Sequence, residues 1–371
     1  MQSGTGKLLP VISSCPAVGR CSSVDKLRVG IIGATGVVGQ KFAQLLSNHP
    51  FMEIVSVYAS DRSSGQSYSG FLNFDEELAE RYEGLTVKRS DPNTILGDRN
   101  DLLFSAVSDA NAGKLEKQLA QKGSIILTNA SANRLDSEVP LVIPEVNPHH
   151  LESLNSSRGM IVANGNCSTI GMVLGLAPIA DLGIQEIYVT TMQAVSGAGY
   201  PGVPSLDILS NIVPFIRSEE EKMVSETRKI FGRFPSPEGS QSNLKIHPTC
   251  VRVPVRDGHL ESITAVMSED VDTGLLQERF RNFGNGNLKA RLPTLPEKSV
   301  ILSNGDDRPQ PLLDVMAGTP ERTRGMSVTV GRLRASGSRI SFVALVNNLI
   351  RGAAGSALLN AELLHESGMI K

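Results

Sequence analysis

From Leu27 onward, short apolar runs alternate with amphipathic stretches. The segment LRVGIIGATGVVGQKFAQLLSNHPFMEIVSVYAS predicts a buried strand, a glycine-rich turn, a helix and a second strand, the opening βαβ unit of a doubly wound sheet. Further apolar runs at residues 101–107, 124–127, 141–143 and 160–163 read as strands, with a helix-like stretch at 112–122 between the first two. Strands alternating with helices imply a parallel sheet covered on both faces.

Beyond Cys167 the pattern changes. Residues 168–182 read as an apolar helix and 187–194 as a strand, while 251–255 and 260–267 predict a hairpin around Asp257-Gly258, a tight-turn dipeptide. Strands that return by hairpins imply an α+β unit with an antiparallel or mixed sheet. Residues 283–311, rich in Gly, Asn and Pro, read as a long loop, and 348–367 as a helix able to pack back on the first unit. No internal repeat is present. The expected architecture is therefore α/β. A Rossmann-type domain (26–163 and 348–371) joins a second α+β domain (164–347), to which the motifs that follow give, by family resemblance, a catalytic and dimerisation role, behind a disordered extension, 1–25.

The 371 residues suit two domains. With 36 Lys+Arg against 38 Asp+Glu the net charge is -2, which offers no basic field to a nucleic acid. Aromatics make up 4% with no Trp, so base-stacking platforms and membrane belts lack material. Neither nucleic acid nor membrane is expected as a partner. Four cysteines without a CxxC pair exclude a disulfide scaffold, and Cys15 and Cys21 lie in the extension, leaving Cys167 and Cys250 in a reducing interior. The Ser-rich extension has the composition of an organellar transit peptide but is short and poor in Arg, so the expected location is cytoplasmic. His247, Cys250 and His259 fit no common metal spacing, and Arg252 puts positive charge among them; no metal is expected.

Gly33-Ala34-Thr35-Gly36-Val37-Val38-Gly39 follows a strand and opens a helix, so its N–H groups and the helix dipole can meet a pyrophosphate. Asp61 lies near the place of an acid that binds the ribose hydroxyl of NAD. It is embedded, however, in Ser60-Asp61-Arg62-Ser63-Ser64-Gly65, where an Arg and three hydroxyls suit a 2′-phosphate, which favours NADP. In Ala163-Asn164-Gly165-Asn166-Cys167-Ser168-Thr169 a thiol sits where a strand ends and an apolar helix begins. A helix N-terminus favours thiolate and offers N–H donors to an oxyanion. A nucleophilic Cys beside a nicotinamide site suggests aldehyde or acyl-phosphate chemistry, because a thioester can accept hydride.

Eight motifs in order, GATGVVGQ, NASANR, IPEVNP, ANGNCSTIG, MQAVSGAGYPGV, SEEEKMVSET, CVRVPVRDGH and NNLIRGAAG, make the chain from about Leu27 to Ser367 resemble the aspartate-semialdehyde dehydrogenases of the fungal and archaeal-like branch. The resemblance implies reduction of L-4-aspartyl phosphate to L-aspartate 4-semialdehyde with NADPH, on the route to lysine, methionine, threonine and isoleucine. It implies Cys167 as nucleophile, Gln193 as the amide that positions the acyl group, and His259 as acid/base, a task suited to imidazole because it ordinarily titrates near neutrality. By the same match Arg252 holds the substrate α-carboxylate, Glu219 and Lys222 contact amine and phosphate, and Arg134 with Asn166 completes the phosphate pocket.

Read without the resemblance, His259 is a surface turn residue, Gln193 an ordinary strand-end polar residue and Arg134 a loop charge. Ser218-Glu219-Glu220-Glu221 is likewise a capping-box pattern. Strand alternation places Arg252 opposite the flanking valines, toward a polar face. For NADP the match covers Gly33, Thr35, Gly36, Val37, Val38, Ser60, Arg62, Ser63, Ser105, Ser196, Gly197 and Asn348. It further implies a small-molecule substrate and a homodimer or homotetramer. N-acetyl-glutamyl phosphate reductases carry Gly-Cys-Tyr at the nucleophile and glyceraldehyde phosphate dehydrogenases Ser-Cys-Thr-Thr-Asn, whereas this chain has Asn166-Cys167-Ser168. A non-catalytic NADP sensor on the same fold would leave the nucleophile, the base and the two substrate-end cations without a task.

Overall fold

The computed structural model describes residues 26–72, 75–107, 109–154, 158–235, 243–286, 288 and 292–370, so the extension 1–25 lies outside the described residues. The first sheet has six parallel strands: β1 (Leu27–Ile32), β2 (Met52–Ala59), β3 (Val87–Arg89), β4 (Leu102–Ser105), β5 (Ile125–Thr128) and β6 (Met160–Ala163). Their order, β3-β2-β1-β4-β5-β6, reverses direction between β1 and β4, which opens a crevice at the strands' carboxyl ends. Helices α1 (Val37–Leu46), α2 (Glu76–Arg81), α3 (Pro92–Gly97) and α4 (Asp109–Gln121) join them. The strand expected at 141–143 is reduced to one bridge, Leu141 to Ala163, because Pro140 and Pro144 flank it and withhold ladder N–H groups.

Helix α5 (Cys167–Leu176) continues as a 3-10 turn, Ala177–Leu182, and leads to β7 (Ile184–Gln193), α6 (Ser205–Ile208) and α7 (Glu219–Ile230). There follow β8 (Lys245–Arg252), β9 (His259–Met267), α8 (Thr273–Asn282), β10 (Val300–Leu302), α9 (Pro311–Asp314), β11 (Val328–Ser336) and β12 (Arg339–Val346). The second sheet is mixed, in the order β10-β11-β12-β9-β7-β8. The expected hairpin between residues 251–255 and 260–267 does not form, because β7 lies between β8 and β9, parallel to one and antiparallel to the other. After β8 the chain instead crosses the end of β7, with Val253 N–H donating to Gln193 O and Val195 N–H to Val255 O. Gly258, at φ +97°, turns this crossover into β9. The long loop expected at 283–311 contains β10, which pairs with β11.

The last segment is a π-helical turn, Ile350–Ala354, followed by α10 (Gly355–Glu366). Helix α10 is buried almost throughout; Ala357, Leu358 and Leu359 join Phe42 and Phe104 in one apolar cluster, so the chain returns to the first sheet. Ser168–Leu176 of α5 are likewise all buried and pack on the second sheet. Each fully buried Leu or Ile contributes about 2 kcal/mol, so the core itself fixes the α5 N-terminus. Gly171 permits the approach: a Cβ there would lie 2.7 Å from Val346 Cγ1.

Candidate active site

Asn166 caps α5, its Oδ1 accepting from the N–H groups of Ser168 (3.0 Å) and Thr169 (3.1 Å). Cys167 is therefore the first helical residue, half-buried, and its Sγ lies 3.2 Å from His259 Nε2. His259 opens β9 and is fully buried; Ala194 N–H donates to its Nδ1 at 3.1 Å. That bond assigns the acceptor role to Nδ1 and leaves the ring proton on Nε2, facing the thiol.

Burial pushes His259 down to about 3, helped by the Arg252 charge. Burial also pushes the Cys167 thiol up to about 12 and Glu219 adds to this, outweighing Arg134, the Ser168 N–H and Arg252. The resting pair is thus neutral. The helix N-terminus does not by itself give the expected thiolate, nor does the imidazole titrate near neutrality, because desolvation exceeds the helix-end contribution.

The ends of three strands carry the rest. Gln193 of β7 stands in register with Arg252 of β8, and one step below, Thr191 pairs with Cys250 on one side and Glu261 on the other. Arg252 is buried on the face it shares with Ile246 and Cys250 and donates from Nη1 to Ala194 O at 2.7 Å. The face expected to be polar and open is the inner one; Val251 and Val253 are the partly exposed residues. Glu219 Oε1 accepts from Asn166 Nδ2 (2.8 Å) and Gln193 Nε2 (3.1 Å). The capping box does not form, since Ser218 adopts φ 59° and its side chain makes no cap bond.

Arg134 is buried and committed: Nη1 donates to Glu226 Oε1 at 2.7 Å and Nη2 to Asn129 O at 2.6 Å. The other Glu226 oxygen accepts the Asn166 backbone N–H at 2.6 Å. Sequence reasoning missed Glu226 and Asn129. The spacing Glu219, Lys222, Glu226 along one face of α7 was the available signal for Glu226. Glu261 was also missed; it is fully buried, neither carboxyl oxygen has a partner, and burial and then Glu219 push it well above the usual carboxylate range. A cavity of about 370 Å³ gathers Cys167, Gln193, Glu219, Lys222, Arg252, Arg134 and Asn166. A larger groove, about 980 Å³, runs past Lys117, Asp136 and Arg158 and holds no Cys or His among the described residues.

The turn after β1 meets the demands of a dinucleotide. Gly33 has φ +82°, and a Cβ there would lie 2.7 Å from Ala106 O. Helix α1 starts at Val37 with no side-chain cap, so its first N–H groups are available to an anion, flanked by Thr35, Gly36 and Val38. At the end of β2, Ser60 and Arg62 are exposed and Ser63 is buried. Asp61 pairs with Arg89 at 2.7 Å, so a second Arg, unremarked in the sequence, stands at this turn. The buried hydroxyl of Ser105 has no partner at the crevice. Asn348 links the two sites, donating to Ser196 Oγ (2.8 Å) and accepting from Gly258 N–H (2.8 Å). A Cβ on Gly197 would lie 3.0 Å from both Arg252 Nη1 and His259 Cε1. An uncapped helix end, an orphaned hydroxyl and two arginines fit a dinucleotide that carries a 2′-phosphate. Among the described residues no three His, Cys, Asp or Glu converge as a metal site, and no helix is long and apolar enough to cross a membrane.

A nucleotide crevice in a parallel sheet, joined through Asn348 to a half-buried thiol on a buried imidazole, defines the class: an NAD(P)-dependent oxidoreductase with a thiol at its centre. Residues 28–154 match the family described as semialdehyde dehydrogenase, NAD binding domain, and residues 176–351 its dimerisation domain. The aspartate-semialdehyde dehydrogenase of Archaeoglobus fulgidus is 40% identical over 351 residues, covering 92% of this chain and 99% of that protein. The crystal structure of aspartate semialdehyde dehydrogenase with NADP from Candida albicans superposes with a TM-score of 0.82 at 34% identity, covering 93% of this chain and all of that one. A malonyl CoA reductase (NADP) of Metallosphaera sedula is 36% identical, covering 93% and 98%. The chain belongs to the aspartate-semialdehyde dehydrogenase family.

Proposed function

We propose that this protein catalyses the NADPH-dependent reductive dephosphorylation of L-4-aspartyl phosphate to L-aspartate 4-semialdehyde, in the biosynthesis of lysine, methionine, threonine and isoleucine. The observation that carries this reading is a thiol, backed by a buried imidazole at 3.2 Å, that lines one cavity with a buried Arg252 and a buried Glu219. Two opposite charges at one end of a small cavity suit the α-carboxylate and α-ammonium of an amino acid. Arg252 grips the carboxylate through the guanidinium nitrogens that do not hold Ala194 O. Glu219, oriented by Asn166 and Gln193, accepts from the ammonium.

Cys167 Sγ attacks the acyl carbon; as the carbon–oxygen bond to phosphate breaks, the thiol proton leaves on that oxygen, hydrogen phosphate departs toward Lys222 and Arg134, and the aspartyl group stays as a thioester. NADPH, when bound on the 33–39 turn, Ser60–Ser63, Ser105, Ser196-Gly197 and Asn348, supplies the hydride that reduces it. His259 Nε2–H donates to the sulfur and then to the carbonyl oxygen as each gains charge; the carbon–sulfur bond breaks, the semialdehyde leaves, and Sγ regains a proton from water. Gln193 holds the acyl group against the thiol.

The substrate domain, assigned to 164–347, also carries an exposed apolar surface. Tyr188 stacks on His247 at 4.6 Å on the open face of the second sheet, and Leu206, Leu209, Ile212 and Phe215 are exposed nearby in sequence. This supports a homodimer through that sheet, or a tetramer of two such dimers. The free thiols Cys167 and Cys250 fit a cytoplasmic setting.

The testing experiment runs the reaction in reverse. Oxidation of L-aspartate 4-semialdehyde should require phosphate and NADP, with N-acetyl-glutamyl semialdehyde and NAD as poor substitutes. Malonyl-CoA, which lacks an ammonium for Glu219, should not be reduced with NADPH. Equal turnover of any of these substrates would overturn the assignment.

A further inference from the structure

Behind Cys167 lies a feature that neither the pocket nor the cofactor turn accounts for. Residues 350–354 form a π-helical turn, closed by i to i−5 bonds that include Gly352 N–H to Asn347 O (2.8 Å), Ala354 N–H to Leu349 O (3.1 Å) and Gly355 N–H to Ile350 O. A π turn carries one residue more than an α turn, which shifts the side chains that follow and recurs at functional sites. Here it brings Gly352 against the nucleophile. A Cβ on Gly352 would lie 2.6 Å from Cys167 Cβ and 3.1 Å from its Cα, so backbone alone backs the reacting side chain.

The preceding residue is the anchor. Arg351 is completely buried, and its Nη1 and Nη2 donate to Glu145 Oε1 (2.9 Å) and Oε2 (2.6 Å). Glu145 belongs to the segment beside β6 of the first sheet. Its Oε1 also accepts from Ser299 Oγ at 2.6 Å, and Ser299 directly precedes β10 of the second sheet. One carboxylate therefore ties both sheets to the π turn. Two further bonds hold the turn itself. Asn164 Nδ2 donates to Ala353 O (3.0 Å), and Asn347 Oδ1 accepts from Ile350 N–H (2.9 Å). A buried ion pair is a weak source of stability compared with apolar packing, but its bidentate fork fixes direction as well as distance.

We propose that Arg351, locked to Glu145 between the two sheets, is a positioning residue that seats the Gly352 backbone behind Cys167 and so fixes the direction of its thiol toward the acyl carbon. This rests on the reading of Cys167 as nucleophile. It assigns a task to two motifs, IPEVNP and NNLIRGAAG, beyond the cofactor contact of Asn348.

The test uses two variants of the full chain. Arg351→Lys keeps the charge and loses the fork; Gly352→Ala keeps the ion pair and places a methyl group on Cys167. In the reverse assay, kcat should fall about 100-fold in Gly352→Ala and about 10-fold in Arg351→Lys, as expected for a misplaced reacting group. KM for the semialdehyde and NADP affinity should hold. Without phosphate, the burst of NADPH that accompanies thioester formation should slow in both variants and keep its amplitude. If Arg351→Lys does not fold, Gly352→Ala decides, and Ser299→Ala, which removes one bond to Glu145 and keeps the pair, should show the same kcat-only loss at smaller size. Unchanged kcat and burst rate per folded molecule in Gly352→Ala, or a loss confined to thermal stability, would overturn the proposal. Absence of any burst in the unmodified protein would instead remove the reading of Cys167 on which it rests.

Discussion

Around Cys167, the polar side chains that line the pocket mostly have partners already, with Glu261 behind them the exception. His259 meets Ala194, Gln193 and Asn166 meet Glu219, Arg134 meets Glu226, and Arg252 meets Ala194. At the nucleotide turn the opposite holds: Ser60 and Arg62 face solvent, the Ser105 hydroxyl is orphaned, and α1 starts uncapped. The pocket is arranged before substrate arrives, so that binding energy goes to reaction geometry rather than to ordering side chains. The cleft leaves its bonds for the cofactor to complete. Asn348, bonded to both Ser196 and Gly258, is the point where the two designs meet.

This contrast predicts different consequences of damage. Cys167→Ala should abolish turnover and leave NADP affinity unchanged, as read by titration and steady-state rate; turnover near that of the unmodified protein would break the distinction outright. Arg252→Lys should lower kcat/KM by about 100-fold, mostly through KM, because an ammonium cannot form the same fork. An unchanged KM would take Arg252 out of the carboxylate site.

His259 titrates in stability rather than in rate. Its unfolded imidazole takes a proton near 6.5 and the folded one only near about 3, so between these values the unfolded chain binds more protons. Stability should therefore fall as pH drops through that window, by up to about 1.4 kcal/mol per pH unit from this residue. Denaturant titrations of His259→Gln should show that share of the slope missing; an identical slope would mean that His259 is not held neutral. Smallest of all, Arg62→Ala at the exposed turn should weaken NADP relative to NAD by about 5-fold without changing kcat, since a solvated contact is worth little. An equal loss for both cofactors would place the 2′-phosphate elsewhere, with Arg89 the next residue to replace.

The same contrast explains what could be read in the sequence. The 33–39 turn and the Asn166-Cys167 junction were legible because each is local: a strand, a few residues with special backbone or cap chemistry, and a helix. Strand character at 251–255 and 260–267 was legible too, but alternation does not say which strand lies beside which, and β7 entered between them. Ser218 matched the capping pattern, yet its positive φ turns the side chain away from the helix. Glu226, Asn129 and Glu145 escaped notice because each acts on a residue far away in sequence. Glu145 and Arg351 are 206 positions apart, and nothing in either neighbourhood signals the other. The upward push on the thiol is not legible in the sequence for a related reason. The helix end is visible in the sequence; the burial that outweighs it is a property of the assembled core.

The central claim is that Cys167 carries the substrate covalently within a pocket built beforehand. It is tested most directly by mixing the protein with L-aspartate 4-semialdehyde and NADP in the absence of phosphate, then measuring intact and peptide mass. The account predicts one aspartyl group per chain, mapped to Cys167 and discharged when phosphate is added. An adduct on another residue, or NADPH formation with no adduct at Cys167, would contradict it.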